Sequence, residues 1–257
     1  MDHPGVSNAQ LVKENTRLAR IYKNRSISEQ NSLDMAWDLL MDPSYQCLVQ
    51  TICGSLDELK RFRQLLVQTV MATDIADVEL RADRNRRWEL AFAKKDGTNK
   101  TDEGDSNANE RPLQSELNEE KATTAQEDRN RKATIVLEHL VQASDIAHTM
   151  QHFDVFRKWN ERLFREMYLA FLSGRSDKDP SEFWYKGEIG FFTFYIIPLT
   201  KKLKDCGVFG VSSDEYLNYA ENNLQIWEAK GEEIVRELQE KVKMEYGAPP
   251  KVGGMAA

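Results

Sequence analysis

Large apolar side chains in this chain recur three or four residues apart, and no stretch keeps the two-residue rhythm of a strand for long. Such a chain must bury its stripes helix against helix. The fold class is therefore all-α, with irregular packing rather than a heptad bundle. The most constrained segment is Glu138–Thr149, part of a helix expected from about Lys132 to Thr149. Leu137, Val141, Ser144, Asp145 and His148 fall on one face, apolar at one end, acidic and then imidazole-bearing at the other. A carboxylate pointed at a core costs several kcal/mol unless something positive meets it, and that cation is either a Lys or Arg or a metal ion.

The other segments follow the same rhythm. Ser7, with Gln10 three residues on, opens a helix carrying Leu11, Leu18 and Tyr22 and closing at Lys23-Asn24. Ser26-Ile27-Ser28-Glu29 starts a second, with Leu33, Trp37 and Leu40 inward and Asp42-Pro43 at its end. A long helix is expected from about Ser55 to Phe92, with a solvated basic stretch at Arg81–Arg87. From Lys94 to about Arg131 large apolar residues are almost gone, and a disordered insertion is expected there. Asp154 caps a helix presenting Phe156, Trp159, Leu163, Met167 and Phe171 and stopping at Gly174. Ser181 opens a further one that Pro198 should kink, and Ser212-Ser213-Asp214 begins the last, with Leu217, Trp227 and Ile234. Residues 1–247 read as part of one domain, and 248–257 as a flexible tail.

The 257 residues carry a net charge of −7 and no long basic run, which argues against a nucleic-acid partner. Three cysteines fit neither a disulfide framework nor a zinc-site spacing and suit reduced thiols in a cytosolic, cytoplasmic setting. No apolar run approaches the roughly 20 residues that span a bilayer, so no membrane segment is expected.

Three polar intrusions interrupt the apolar faces: Thr73-Asp74, Asp145 with His148, and Glu188. Any one alone suits a structural role. Three together suit a helix-lined metal or phosphate site, in which carboxylates and imidazoles would hold Zn, Mg or Mn.

Four segments, in order, carry a resemblance. Asp2-His3-Pro4-Gly5-Val6-Ser7-Asn8 resembles the second half of the H-D-x-D-H-x-G motif of class I 3′,5′-cyclic-nucleotide phosphodiesterases. Met71-Ala72-Thr73-Asp74-Ile75 is similar to that family's L-A-T-D segment, and Gln142–Ala147 to its H-A-A-D-[IL]-S segment. Lys186-Gly187-Glu188-Ile189-Gly190-Phe191, followed by Pro198-Leu199, is similar to its K-S-Q-x-G-F…P-L helix. The resemblance implies an all-α, HD-superfamily bundle with two divalent metals, Zn and Mg or Mn. There a hydroxide between the metals opens the ring of cAMP or cGMP, the cyclic nucleotide being the partner.

Carried over by residue, Asp145 would be a ligand of the first metal. His3 would line the hydroxide site with Asp2 as its acidic neighbour; the alternative is two residues of a frayed terminus. Glu29 and Thr73 would hold metal-bound waters, although Glu29 also suits a capping box with Ser26, and Thr73 a bond back to its own helix. Glu188 stands where the family has a Gln that reads the base edge. An ionised carboxylate only accepts, whereas burial favours the protonated form, which also donates. Phe191 would stack on the base or be an ordinary core residue. His148 would touch the nucleotide or be a satisfied buried His.

The family's remaining ligands and its leaving-group acid belong to segments that would precede Met1, and the histidines here are His3, His139, His148 and His152. The chain as written is thus expected to supply one of four first-metal ligands, to retain neither metal and to turn nothing over. Its expected origin is an incomplete chain lacking the N-terminal helices, from a parent that could carry upstream membrane or cyclase domains. Exposed apolar surface should result. Two rivals are a genuine short binding module, or pseudoenzyme, and a purely structural helical protein.

Overall fold

The structure is a computed structural model that describes residues 4–92, 111–207, 210 and 214–247, and these contain helices and no strand. The stretch 94–110 of the expected insertion and the tail 248–257 lie outside the described residues.

The expected first helix is two: α1 (Asn8–Lys13) and α2 (Arg17–Ile21). Asn15 breaks it at φ +49°, and Thr16 Oγ1 accepts the Ala19 N–H at 3.1 Å as a fresh N-cap. Ser7 caps α1 through the Gln10 N–H, but the Gln10 side chain turns to Glu14 instead of completing a capping box. Lys23 and Asn24, both at positive φ, end α2 as expected.

Next come α3 (Ile27–Leu40), α4 (Gln46–Ile52), α5 (Leu56–Met71) and α6 (Val78–Phe92). The single helix expected over 55–92 is thus broken at 72–77, where Asp74 Oδ1 accepts the N–H groups of Ala76 and Asp77. The Arg81–Arg87 stretch is not wholly solvated. Arg84 is buried and points its guanidinium at the Asp74 carbonyl.

Helix α7 (Arg111–Asp145) begins well before the expected Lys132. Residues 111–131 lack apolar bulk but abound in Glu, Gln, Ala, Lys and Arg, which are strong helix formers. Ion pairs from Asp128 to Arg131 and Lys132 support the visible part. A 3₁₀ turn at Ala147–Met150 leads to α8 (Phe153–Leu172), capped by His152 rather than Asp154 and closed by Gly174 at φ +73°.

Helix α9 (Trp184–Phe191) runs through a π-helical turn (Phe192–Ile196) into α10 (Ile197–Asp205), and α11 (Glu215–Tyr246) closes the chain. The π turn lies directly before Pro198, and the Ile197 N–H reaches the Phe192 carbonyl, five residues back. Widening the turn accommodates the proline ring and its missing donor, so the expected kink is a change of helix type.

The main core lies among α8, α9, α10 and α11. Phe156 meets Phe192 and Trp227 edge-on with centroids 5.2 and 5.7 Å apart, and Phe164 meets Trp184 at 90°. Buried polar side chains here are tied in: Trp184 Nε1 donates to Asn160 Oδ1, and Asn223 Nδ2 to the carbonyls of Thr149 and Gln151. Arg175, beyond α8, clasps Glu14 with both arms of its fork and so ties the N-terminal helices to this core.

Candidate functional site

The face of α7 turned inward is not the one its apolar residues suggest. Ile135, Glu138, His139, Gln142 and Ala143 are buried, while Leu137, Ser144 and Asp145 are exposed. Each buried polar group meets something distant in sequence or one turn back. Arg87 Nη1 donates to Glu138 Oε1 at 2.7 Å, Gln142 Nε2 donates to the Ala72 carbonyl at 2.8 Å, and His139 Nδ1 lies 2.8 Å from the Ile135 carbonyl. The carboxylate aimed at the core is therefore Glu138, and the cation that meets it is an arginine.

Asp145 is the last residue of α7, at the surface and without an ion pair among the described residues. His148 sits beyond it in the 3₁₀ turn, half-buried, with its ring 6.2 Å from that of Trp159. Burial lowers the His148 pKa and the nearby Asp145 charge partly restores it, leaving a neutral imidazole at pH 7. Trp159 and Leu163, expected inward on α8, are 47% and 46% exposed, and the core places belong to Phe156, Phe164 and Tyr168.

Glu188, Phe191 and Tyr195 fall on successive turns of one face of α9 and its π continuation. The Phe191 and Tyr195 rings are stacked, 5.4 Å apart and 15° from parallel. Phe192 is the fully buried core ring; Phe191 is only partly buried. The Glu188 carboxyl has no hydrogen-bond or charged partner among the described residues, and desolvation alone pushes its pKa up to about 7. Tyr195 lies within electrostatic reach of both Arg84 and Asp145, and burial raises its phenol to about 12. Glu188 thus stands one turn before the stacked pair, and the Asp145 charge reaches both Tyr195 and His148.

A second group forms where α1, α3 and the 72–77 break converge. Asn8 Nδ2 donates to Glu29 Oε2 at 2.9 Å and reaches Asp74 Oδ2 at 3.4 Å, while Asn8 Oδ1 accepts the Ser28 N–H. Ser26 is left-handed at φ +37° and makes no side-chain cap, so the capping box with Glu29 does not form. Thr73 Oγ1 donates to the Val70 carbonyl at 2.7 Å, the bond back to its own helix. Asn8 is the hub of this group through partners 20 to 66 residues away, which no local pattern reveals. Asn8, Glu29, Thr73 and Asp74 line a cavity of about 700 Å³ together with Leu163 and Phe183. The structure therefore gathers Glu29 with Thr73, and Glu188 with Phe191, in separate groups. Leu163 lines the cavity of Asn8 and Glu29, while Trp159, one turn before it on α8, stands beside His148. His3 and Asp2 lie outside the described residues. Among the described residues no three His, Cys, Asp or Glu side chains gather as a metal ion requires.

The sequence profile of the 3′5′-cyclic nucleotide phosphodiesterase family matches residues 1–208. A probable 3′,5′-cyclic-AMP phosphodiesterase of Caenorhabditis elegans is 25% identical over 169 residues, 65% of this chain and 21% of that protein. The cGMP-inhibited 3′,5′-cyclic phosphodiesterase 3A of Rattus norvegicus is 40% identical over 77 residues, 29% of this chain and 6% of that one. The chain thus spans about a fifth or less of the length of these relatives. The crystal structure of the phosphodiesterase domain of Salpingoeca rosetta rhodopsin phosphodiesterase superposes with a TM-score of 0.62 at 22% identity, over 94% of this chain and 65% of that one.

Proposed function

The chain belongs to the 3′5′-cyclic nucleotide phosphodiesterase family, and on that premise we propose that it forms the nucleotide-binding part of such an enzyme's domain, with cAMP or cGMP as its ligand. The observation that carries this reading is the stacked pair Phe191 and Tyr195, with the unpartnered Glu188 carboxyl one turn before it on the same helix face. A purine lying on Phe191 would turn its polar edge to Glu188, and the cyclic phosphate would lie toward Asp145 and the neutral His148.

Divalent metals are what membership of the family implies. Asp145 offers one hard oxygen ligand on a helix end, Glu29 and Thr73 offer acceptors for ordered water, and His3 with Asp2 would add to them. The residues gathered among those described do not make a complete metal site, so no catalytic step is assigned to them. The 257-residue chain by itself is proposed to bind the nucleotide weakly and not to hydrolyse it. Residues 1–247 are proposed to act as part of one domain, a reading supported by the Arg175–Glu14 and Lys13–Asp177 ties across it. The alternative of a binding or regulatory module shares the nucleotide-holding face and differs only in lacking chemistry.

Calorimetric titration with cAMP and cGMP tests this. Binding by the wild type should weaken about tenfold or more in Phe191→Ala, since stacking of a base on an aromatic ring contributes about 1–3 kcal/mol. Equal binding by Phe191→Ala, with the fold intact by circular dichroism, would remove the proposed site.

A further inference from the structure

Resting on that nucleotide reading, the inference here concerns which base the site accepts. Glu188 stands on α9 one turn before Phe191, on the same face, flanked by Gly187 and Gly190. Gly187 and Gly190 place no side chain beside it, and a Cβ added at either would meet only a phenylalanine ring, at 3.8 Å or beyond. Its oxygens have no donor or acceptor among the described residues.

We propose that Glu188 couples base selection to its own proton: ionised it admits guanine and rejects adenine, and protonated it admits both. The chemistry is that of the base edges. Guanine offers two adjacent donors, N1–H and the N2 amino group, which a carboxylate can accept with its two oxygens. Adenine offers an acceptor, N1, beside the N6 amino donor, so an ionised carboxylate sets a lone pair against a lone pair. A protonated carboxyl donates to adenine N1 and accepts from N6, and it meets guanine O6 and N1–H equally well. An amide at this position would do the same at every pH.

The groups around Glu188 do not take over this titration. On α9 itself stand Tyr185 and Lys186. The π turn brings Tyr195, the 3₁₀ turn before α9 brings Glu182, and α11 brings Glu228, whose carbonyl accepts from Tyr185. Asp145 acts on His148 and on Tyr195. None of these charges contributes to the Glu188 shift, which desolvation sets alone, placing the titration near pH 7.

The test is calorimetric titration of the full chain with cAMP and with cGMP at several values between about pH 6 and about pH 8, where neither base nor the cyclic phosphate titrates. Affinity for cAMP should fall about tenfold over this range, following the protonated fraction of a group titrating near 7, while affinity for cGMP changes less than about twofold. In Glu188→Gln both affinities should be flat with pH. If the two nucleotides follow the same pH course, or the variant keeps the wild-type course, the inference falls while the nucleotide site stands. If neither nucleotide binds at any pH, the site itself falls and the inference with it.

Discussion

Glu188 and His139 are both desolvated enough to move their protons, in opposite directions. Burial raises Glu188 from 4.5 to about 7, so the folded chain holds that proton where the unfolded chain has lost it. Its contribution is complete below pH 4.5 and is lost as pH rises through 7. Replacing it by Gln should leave urea stability near wild type at pH 4.5 and raise it by about 2–3 kcal/mol at pH 8. His139 is the converse case. Burial lowers it from 6.5 to about 4, its Nδ1 faces the Ile135 carbonyl, and its ring lies 4.4 Å from that of Trp88. Its contribution is complete above 6.5 and is lost as pH falls through 4. NMR titration of the His139 ring protons should show a neutral imidazole down to about pH 4, whereas a midpoint near 6.5 would place the ring in water. The exchange of an amide for Glu188 was visible in the sequence. Its isolation was not, because that depends on what every neighbouring helix fails to bring.

At the scale of elements, α6 and α7 are joined through Glu138, whose side chain is 1% exposed and paired with the partly exposed Arg87. Glu138→Ala would leave Arg87 its pair with Asp83 alone and remove one of the carboxylates near Arg84; unfolding should become easier by about 1–3 kcal/mol, measured by denaturant titration. Helix α11 depends on Gly231, where a Cβ would lie 2.8 Å from the Tyr185 ring and 3.0 Å from that of Trp227. Gly231→Ala should cost about 1–3 kcal/mol through overpacking, despite alanine's better helix propensity, and a stabilised variant would show that α9 can draw back. Helix type, a disturbance at Pro198 and the ends at Gly174 and Asp214 were legible from local chemistry, whereas the π form that the disturbance takes was not. The buried side of α7 was not. Leu137 and Val141 outweigh Glu138, His139 and Gln142 on any local count, and the balance is reversed by Arg87 and the Ala72 carbonyl, 51 and 70 residues away. The helix over 111–131 is not legible from apolar bulk for another reason: propensity and ion pairs sustain it.

At the scale of the whole molecule, apolar side chains stand in solvent along α3, α4 and α5, among them Leu39, Leu48, Ile52 and Leu56. Among the described residues no helix is long and apolar enough to cross a membrane. Family and all-α fold were legible because four short segments kept their order along the chain. The two-part arrangement of the site was not, since Asn8 gathers Glu29 and Asp74 by bonds spanning 21 and 66 residues. Supplied with Zn and Mg, the chain by itself should show no cAMP or cGMP turnover above background; turnover lost in Asp145→Ala would overturn that part of the account. The central claim is where a cyclic nucleotide sits, and photolabelling with 8-azido-cAMP followed by peptide mapping addresses it most directly. The label should fall on the 184–196 peptide, compete with unlabelled cAMP, and disappear in Phe191→Ala. A competable label confined to other helices, with 184–196 unmodified, would contradict it.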